Sequence, residues 1–409
     1  MKTTPSSPGS GLAPATAPAS GSRFAQYMQR MRSGELGSLP IILGLILIVI
    51  VFQVQNQNFL TPRNFVNLIV QMAGITTIAI GVVYVLLLGE IDLSIGYVSA
   101  VAAVSMALLL REPISLPWPL AVVVALLVAA AVGALHGSII TRFQVPSFVV
   151  TLAGLLAWNG VVLILMQGAG TVIIQDQTVL NIANAYLPPA LGWALALGGV
   201  ALFAYSQFTN VRARNQRGLT NRSTAITIVQ VALVALLSLG AVYFANLDRG
   251  VPFIGLLLLI LLAAFSVLAT RTKFGRYVYA IGGNKEAARR AGINVERIRV
   301  MVFMISSVMA GVGGIILASR LRSVDTAAGG GNLLINSIAA AVIGGTSLFG
   351  GRGKVSSAFL GALIIASIEN GMGLLNLSAG EKFVITGLVL LAAVLVDATS
   401  RRGQGGAKR

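Results

Sequence analysis

VPFIGLLLLILLAAFSVLAT, residues 251–270, and LPIILGLILIVIVF, residues 39–52, contain no charged side chain. A helix needs about 20 mostly apolar residues to cross roughly 30 Å of hydrocarbon, and residues 251–270 supply them. Similar blocks recur along the chain. Of its 409 residues, 56% are hydrophobic and 10% charged, whereas soluble domains carry about 25% charged residues. So little charge would leave the surface of a soluble fold of this size poorly covered. Closed β-barrels also span membranes, but their roughly ten-residue alternating segments are absent. The chain therefore reads as an all-α, polytopic helical membrane protein.

A formal net charge of +17 raises nucleic acid as a partner, and the distribution of the charge argues against it. Of the 29 basic residues, 20 sit in four stretches: residues 1–38, 208–224, 271–299 and 401–409. Each abuts an apolar block, as expected of loops kept on the cytoplasmic side. They lack the interleaved aromatics of a single-strand groove, and attraction to anionic lipid suffices for them. Cysteine is absent, which excludes disulfides and thiolate metal sites. The single histidine, His136, lies on an apolar helix, where a satisfied or pore-facing role outweighs metal ligation.

Residues 1–22 are rich in Ser, Pro, Ala and Gly. Together with the rest of 1–37 they read as a flexible basic N-terminal segment on the cytoplasmic side. The block at 39 has no small-residue cleavage site after it and reads as a retained helix. Further spans are expected near 64–88, 94–110, 118–140, 147–167, 190–207, 225–245, 251–270, 299–319, 333–349, 355–376 and 382–398. That gives about 10–12 transmembrane segments in a single domain, 38–398, followed by a basic tail, 399–409. The segments at 94–110 and 333–349 are short, and either could be a broken or re-entrant element. Twelve crossings with both termini cytoplasmic put 23 basic residues inside and six outside, Arg320 and Arg322 being the awkward ones. If both short segments fail to cross, loops 208–224 and 271–299 move outside, against the positive-inside rule.

Carboxylates inside a membrane are costly and are functional candidates by default. In LLLGEIDLSIGYVS, Glu90 and Asp92 interrupt an apolar stretch between Gly89 and Gly96, with Ser94 able to bond a freed backbone group. This reads as a break between two helices, of the type that lines transporter substrate sites. An ordinary cytoplasmic turn capped by Asp92 or Ser94 fits as well. A second glycine-rich break, VIGGTSLFGGRGKVSS at 342–357, offers weak similarity to the first, as an internal repeat would. Gln71, Asn159, Asn336, Ser367, Glu369 and Asn370 are further polar residues within spans. Interhelical bonding is their default role, but a path lined by amides and hydroxyls also suits a neutral polyhydroxylated solute. Gln71, Glu90, Asp92, Ser94, Asn159, Asn336 and Glu369 are the candidate pathway residues. Only Glu369 lies clearly mid-span, which argues mildly against ion coupling.

A phosphate-binding loop needs Gly, four residues, then Gly-Lys-Ser/Thr. Gly353-Lys354 supplies the pair, but Leu348 and Val355 occupy the other two positions, so the nucleotide site is missing. A Ser–His–Asp arrangement is unsupported, because His136 has no carboxylate near it in sequence.

The most distinctive stretch, TRTKFGRYVYAIGGNKEAARRAGINVERIRVMVF at 270–303, is an amphipathic basic segment between two spans. Its small residues Ala287, Ala288, Ala291 and Gly292 would let another protein approach closely. It resembles the loop by which permease subunits of bacterial ABC importers dock on their ATPase. With GEIDLSIG (89–96), VPSFVVTLAG (145–154) and IGGTSLFGGRG (343–353), it is similar to the ribose/xylose branch of sugar permeases, itself related to branched-chain amino acid permeases. The resemblance covers about residues 61–398, and the extra region 178–250 favours the xylose type.

The resemblance implies a permease that passes a monosaccharide, D-xylose or a similar pentose, across the bacterial inner membrane. Ribose, galactose or a branched-chain amino acid are the alternatives. It implies a permease homodimer, an ABC ATPase subunit and a periplasmic sugar-binding protein as partners. This chain would be no enzyme and would bind no cofactor, with ATP-Mg on the ATPase. Gly283, Asn284, Glu286, Ala287, Ala288, Ala291, Gly292 and Ile293 would form the coupling segment. The rivals are an ion-coupled secondary transporter and an intramembrane enzyme using His136 with Glu90 or Asp92.

Overall fold

In hydrocarbon a backbone must satisfy its own N–H and C=O groups, and these apolar blocks do so as helices. The computed structural model describes residues 39–216 and 224–405. The expected N-terminal segment 1–37, part of the 208–224 loop and the last four residues lie outside the described residues. The compact body is Ser38–Asp397. Eight of the described helices are long and apolar enough to cross a membrane, in keeping with a multi-pass membrane protein.

The helices are α1 (Leu39–Gln55), α2 (Pro62–Leu87), α3 (Ile95–Leu110), α4 (Trp118–Arg142) and α5 (Ser147–Met166). Strand β1 (Thr171–Ile173) and the short α6 (Gln177–Asn184) follow, then α7 (Pro189–Gln216), α8 (Thr224–Asn246) and α9 (Phe253–Arg271). After α10 (Lys273–Gly283) and α11 (Lys285–Arg290) come α12 (Val295–Leu321), strand β2 (Ser323–Asp325) and α13 (Leu333–Ile343). The chain ends on α14 (Ser357–Leu374) and α15 (Ala379–Gly405). One end of the bundle carries Arg142, Arg271 and the basic α10–α11 segment. It is the cytoplasmic, or basic, end by the positive-inside rule. At the opposite, charge-poor end β1 pairs antiparallel with β2, with Val172 opposite Val324.

Helices α2 and α12 form the centre, 78% and 61% of their spans being buried, against 6% for α7 and for α8. The α7–α8 pair therefore turns Leu197, Leu202, Leu236 and Leu237 outward, as a lipid-facing helix should. Lipid tails are as apolar as leucine, so helices associate through close packing at small residues. A Cβ on Gly81 would lie 3.0 Å from Met309 Cβ and from Ser306 Cα, which fixes α2 against α12. Gly133 and Gly137 form a G-x-x-x-G face on α4. A Cβ on Gly137 would come 2.7 Å from Val300 Cα of α12.

Three expectations are revised. The span expected at 333–349 is helical only to Ile343, and Gly344 to Ser356 form an irregular loop. At about 1.5 Å per residue, α13 is about 16 Å long and α3 about 24 Å, so neither crosses as a helix alone. Each begins inside the bundle and is reached by an irregular segment, 88–94 from the basic end and 326–332 from the other. The first turn of α3 meets the second of these segments where Gly96 packs on Gly329. The counterpart of the 89–96 break is thus 326–332, not 342–357. Glycine is needed at Gly329 because φ is +77° and any Cβ would strike the Gly96 carbonyl. Finally, the span expected at 190–207 continues as helix through Arg212 and Arg214 to Gln216.

Candidate functional site

At the charge-poor end a cavity of about 620 Å³ opens among α2, α3, α12, α13 and α14. Asn64, Asn67 and Gln71 reach it from one face of α2, being spaced three and four residues apart. Glu369, Asn370 and Gly373 come from α14, Ser99 from α3, Arg320 from the last turn of α12, and Asn336 from α13. Asn370 Nδ2 donates to Asn64 Oδ1 at 2.9 Å and to Gln71 Oε1 at 3.1 Å, and Asn64 Nδ2 donates back at 2.8 Å. Asn336 Nδ2 donates to Glu369 Oε1. Asn336 is 2% exposed, yet its Oδ1 has no partner among the described residues. The apolar lining includes Ile75, Ala100, Ala103, Leu317 and Leu333, and no aromatic ring is among the described lining residues.

Of the candidate pathway residues, Gln71, Asn336 and Glu369 share this cavity. Glu90, Asp92 and Ser94 do not line it, and neither does Asn159, a half-buried residue of α5. Arg320, which reads in the sequence as a topological exception, lines it. An arginine ending an otherwise apolar helix is the available signal, and charge counting alone passes over it. Among the described residues, no three His, Asp or Glu side chains gather into a group that could hold a metal.

Glu90, Asp92 and Ser94 sit nearer the basic end. Asp92 is 4% exposed. Its Oδ1 accepts from Ser94 N at 3.0 Å and Ser94 Oγ at 2.6 Å, and its Oδ2 from Ser306 Oγ at 3.2 Å. The break is thus pinned on one side, where Asp92 and Ser94 are buried and held by hydroxyls and one backbone N–H, while Gly89 and Ile91 stay exposed. Glu90 pairs with Arg299 of α12, both side chains being mostly buried. Trp158 Nε1 donates to His136 Nε2 at 3.0 Å. An indole nitrogen can only donate, so Nδ1 carries the ring proton and faces Ser94 Oγ at 3.3 Å. The proton order runs Trp158, His136, Ser94, Asp92. His136 therefore cannot take the Ser94 proton, and the arrangement is not that of a serine hydrolase.

The four stretches singled out in the sequence converge here. Ile91 N donates to Ser147 Oγ, and Thr151 Oγ1 to Ile91 O, each at 3.3 Å. Gly351 N donates to Leu87 O at 2.9 Å. Gly282 of α10 packs so closely on Leu87 O and Gly351 N that a Cβ there would overlap both. Tyr279 donates its hydroxyl to Gly353 O at 2.8 Å, and burial pushes this phenol above its usual range, keeping it a donor.

Beyond these contacts, α11 projects with Gly283, Asn284, Glu286, Ala287, Ala291 and Gly292 exposed and Ile293 half-buried. Ala288, expected on the same outward face, is instead buried at 5% against the protein's own core. A six-residue helix must seat one side somewhere, and Ala288 is that side. Asn284 caps α11 through Ala287 N at 2.9 Å, and Asn294 caps α12 through Arg297 N at 2.9 Å.

A family model described as "branched-chain amino acid transport system / permease component" matches residues 64–395, a range spanning α2 to α15 and all of the contacts above. The chain belongs to this family. Among similar permeases is the xylose transport system permease protein XylH of Escherichia coli K12, 37% identical over 374 residues, 91% of this chain and 94% of that protein. XylH of Haemophilus influenzae is 35% identical over 378 residues, 92% of this chain and 100% of that protein. The ribose import permease protein RbsC of Bacillus subtilis is 32% identical over 365 residues, 89% and 94% of the two chains. No solved structure matches this permease.

Proposed function

We propose that this permease is the membrane-spanning subunit of an ATP-driven ABC importer that carries a monosaccharide, D-xylose or a similar pentose, across the inner membrane. The observation that carries the reading is the cavity, whose amides, hydroxyls and half-buried Glu369 carboxylate match a solute made of hydroxyl groups. Proteins named for xylose transport at 35–37% identity over most of the chain support the pentose. The cavity has no aromatic platform for a sugar ring, which suits brief occupancy by a passing solute over tight capture.

Capture then falls to a periplasmic binding protein at the charge-poor end, and ATP hydrolysis to a separate ATPase seated on α10–α11. A permease homodimer completes the assembly, with lipid around α7 and α8. This chain binds no cofactor of its own in this scheme, and ATP-Mg stays on the ATPase.

Deleting the gene in its host tests the substrate. Uptake of radiolabelled D-xylose at low concentration should fall to background and return on complementation. Unchanged xylose uptake, with ribose, galactose or L-leucine uptake lost instead, would reassign the substrate.

A further inference from the structure

Three groups in the cavity are poised for a ligand and have no full set of protein partners. The Arg320 guanidinium lines the cavity and has no hydrogen bond or direct ion pair among the described residues. Asn336 is only 2% exposed, and its Oδ1 is unpartnered. Glu369 accepts from Asn336 through Oε1, which leaves Oε2 for a ligand hydroxyl. A buried polar atom without a partner costs about 1–3 kcal/mol, and an arginine inside a membrane domain costs more. Such a set persists where something else supplies the missing bonds.

We propose that Arg320, Asn336 and Glu369 form a ligand subsite, charge-balanced so that it accepts an uncharged polyhydroxylated molecule and rejects a singly charged one. The inference rests on the reading of the chain as a monosaccharide permease and names the side chains that read the solute. A hydroxyl both donates and accepts. One sugar can therefore take a proton from Arg320 and give protons to Glu369 and to Asn336 Oδ1. An anion would meet Glu369 and a cation Arg320, each in a site where unpaired charge is expensive. A zwitterion would have to displace the compensation that Arg320 and Glu369 already give each other. Asp325 also lines the cavity, but it is exposed at the mouth, where water screens it.

The chain has no cysteine, so one can be placed at will. Gly373 lies one helical turn from Glu369, and a Cβ there meets nothing within 4 Å. In the Gly373→Cys permease, purified in lipid nanodiscs, the rates of labelling by a sulfonate-bearing and a trimethylammonium-bearing methanethiosulfonate are compared. Glu369→Gln should raise the anionic-to-cationic ratio roughly tenfold, and Arg320→Gln should lower it by a similar factor. The double variant, equal in charge to the parent, should return the ratio to its starting value and so separates lost charge from lost fold. Saturating D-xylose should slow labelling, whereas D-xylonate and L-leucine should not. Ratios that ignore both substitutions, or protection by leucine and not by xylose, would overturn the subsite. A host that takes up no pentose through this permease would overturn the function reading instead, so the two fail separately.

Discussion

A carboxylate in an apolar stretch can mark a substrate site or join helices, and Asp92 shows what separates the two. Its neighbours are legible in the sequence, and so is a break at this point. Its partner Ser306 lies 214 residues away and is not. Asp92 is held by Ser94 N, Ser94 Oγ and Ser306 Oγ, and bonds to a charged acceptor contribute about 1.5–3 kcal/mol each. Asp92→Asn keeps the shape but loses the charge, and Asp92→Leu loses every bond and leaves the Ser94 and Ser306 hydroxyl protons without their acceptor. The thermal unfolding midpoint of the purified permease should therefore fall for Asn and fall further for Leu, with uptake lost alongside. A midpoint unchanged by Asp92→Leu would mean that the network does not hold the break. Arg320 gives the opposite lesson. It is conspicuous in the sequence, and a topological explanation is sufficient to hide it.

Among the elements, long apolar helices are plain because their composition alone dictates them. Helix ends within apolar runs are not: residues 333–349 are uncharged throughout, yet α13 stops at Ile343. The pairing of the two breaks is hidden because Gly329 to Gly331 looks like an ordinary connecting loop. That loop in fact leads into α13 and is fixed by its contact with Gly96. The α10–α11 segment is legible as a basic amphipathic insertion, but not the inward turn of Ala288. Gly282 and Gly283 offer a matched pair of tests at this scale. A methyl at Gly282 would overlap Leu87 O and Gly351 N, whereas one at Gly283 meets nothing within 4 Å. Gly282→Ala should cost about 1–3 kcal/mol through overpacking and disturb the contact of α10 with Leu87 and Gly351. Gly283→Ala should be close to neutral. Unfolding midpoints and uptake measured for both would check this, and equal behaviour of the two variants would contradict the proposed interlock.

On the scale of the whole molecule, the cavity and the α10–α11 segment stand at opposite ends, and α10 reaches the short helix α3 through Leu87, the 89–94 break and the loop that holds Gly350 and Gly351. Energy supplied at the basic end thus has a continuous packed route to the wall of the cavity. That arrangement suits a permease driven by a separate ATPase. An ion-coupled carrier would be the contrary case, with the driving ion bound inside this chain. Right-side-out membrane vesicles from the host, supplied with its periplasmic extract, decide between them directly. Uptake of radiolabelled D-xylose should require ATP loaded inside the vesicles and should persist when a protonophore is added. Uptake in ATP-free vesicles that follows an imposed ion gradient and collapses with the protonophore would contradict the account.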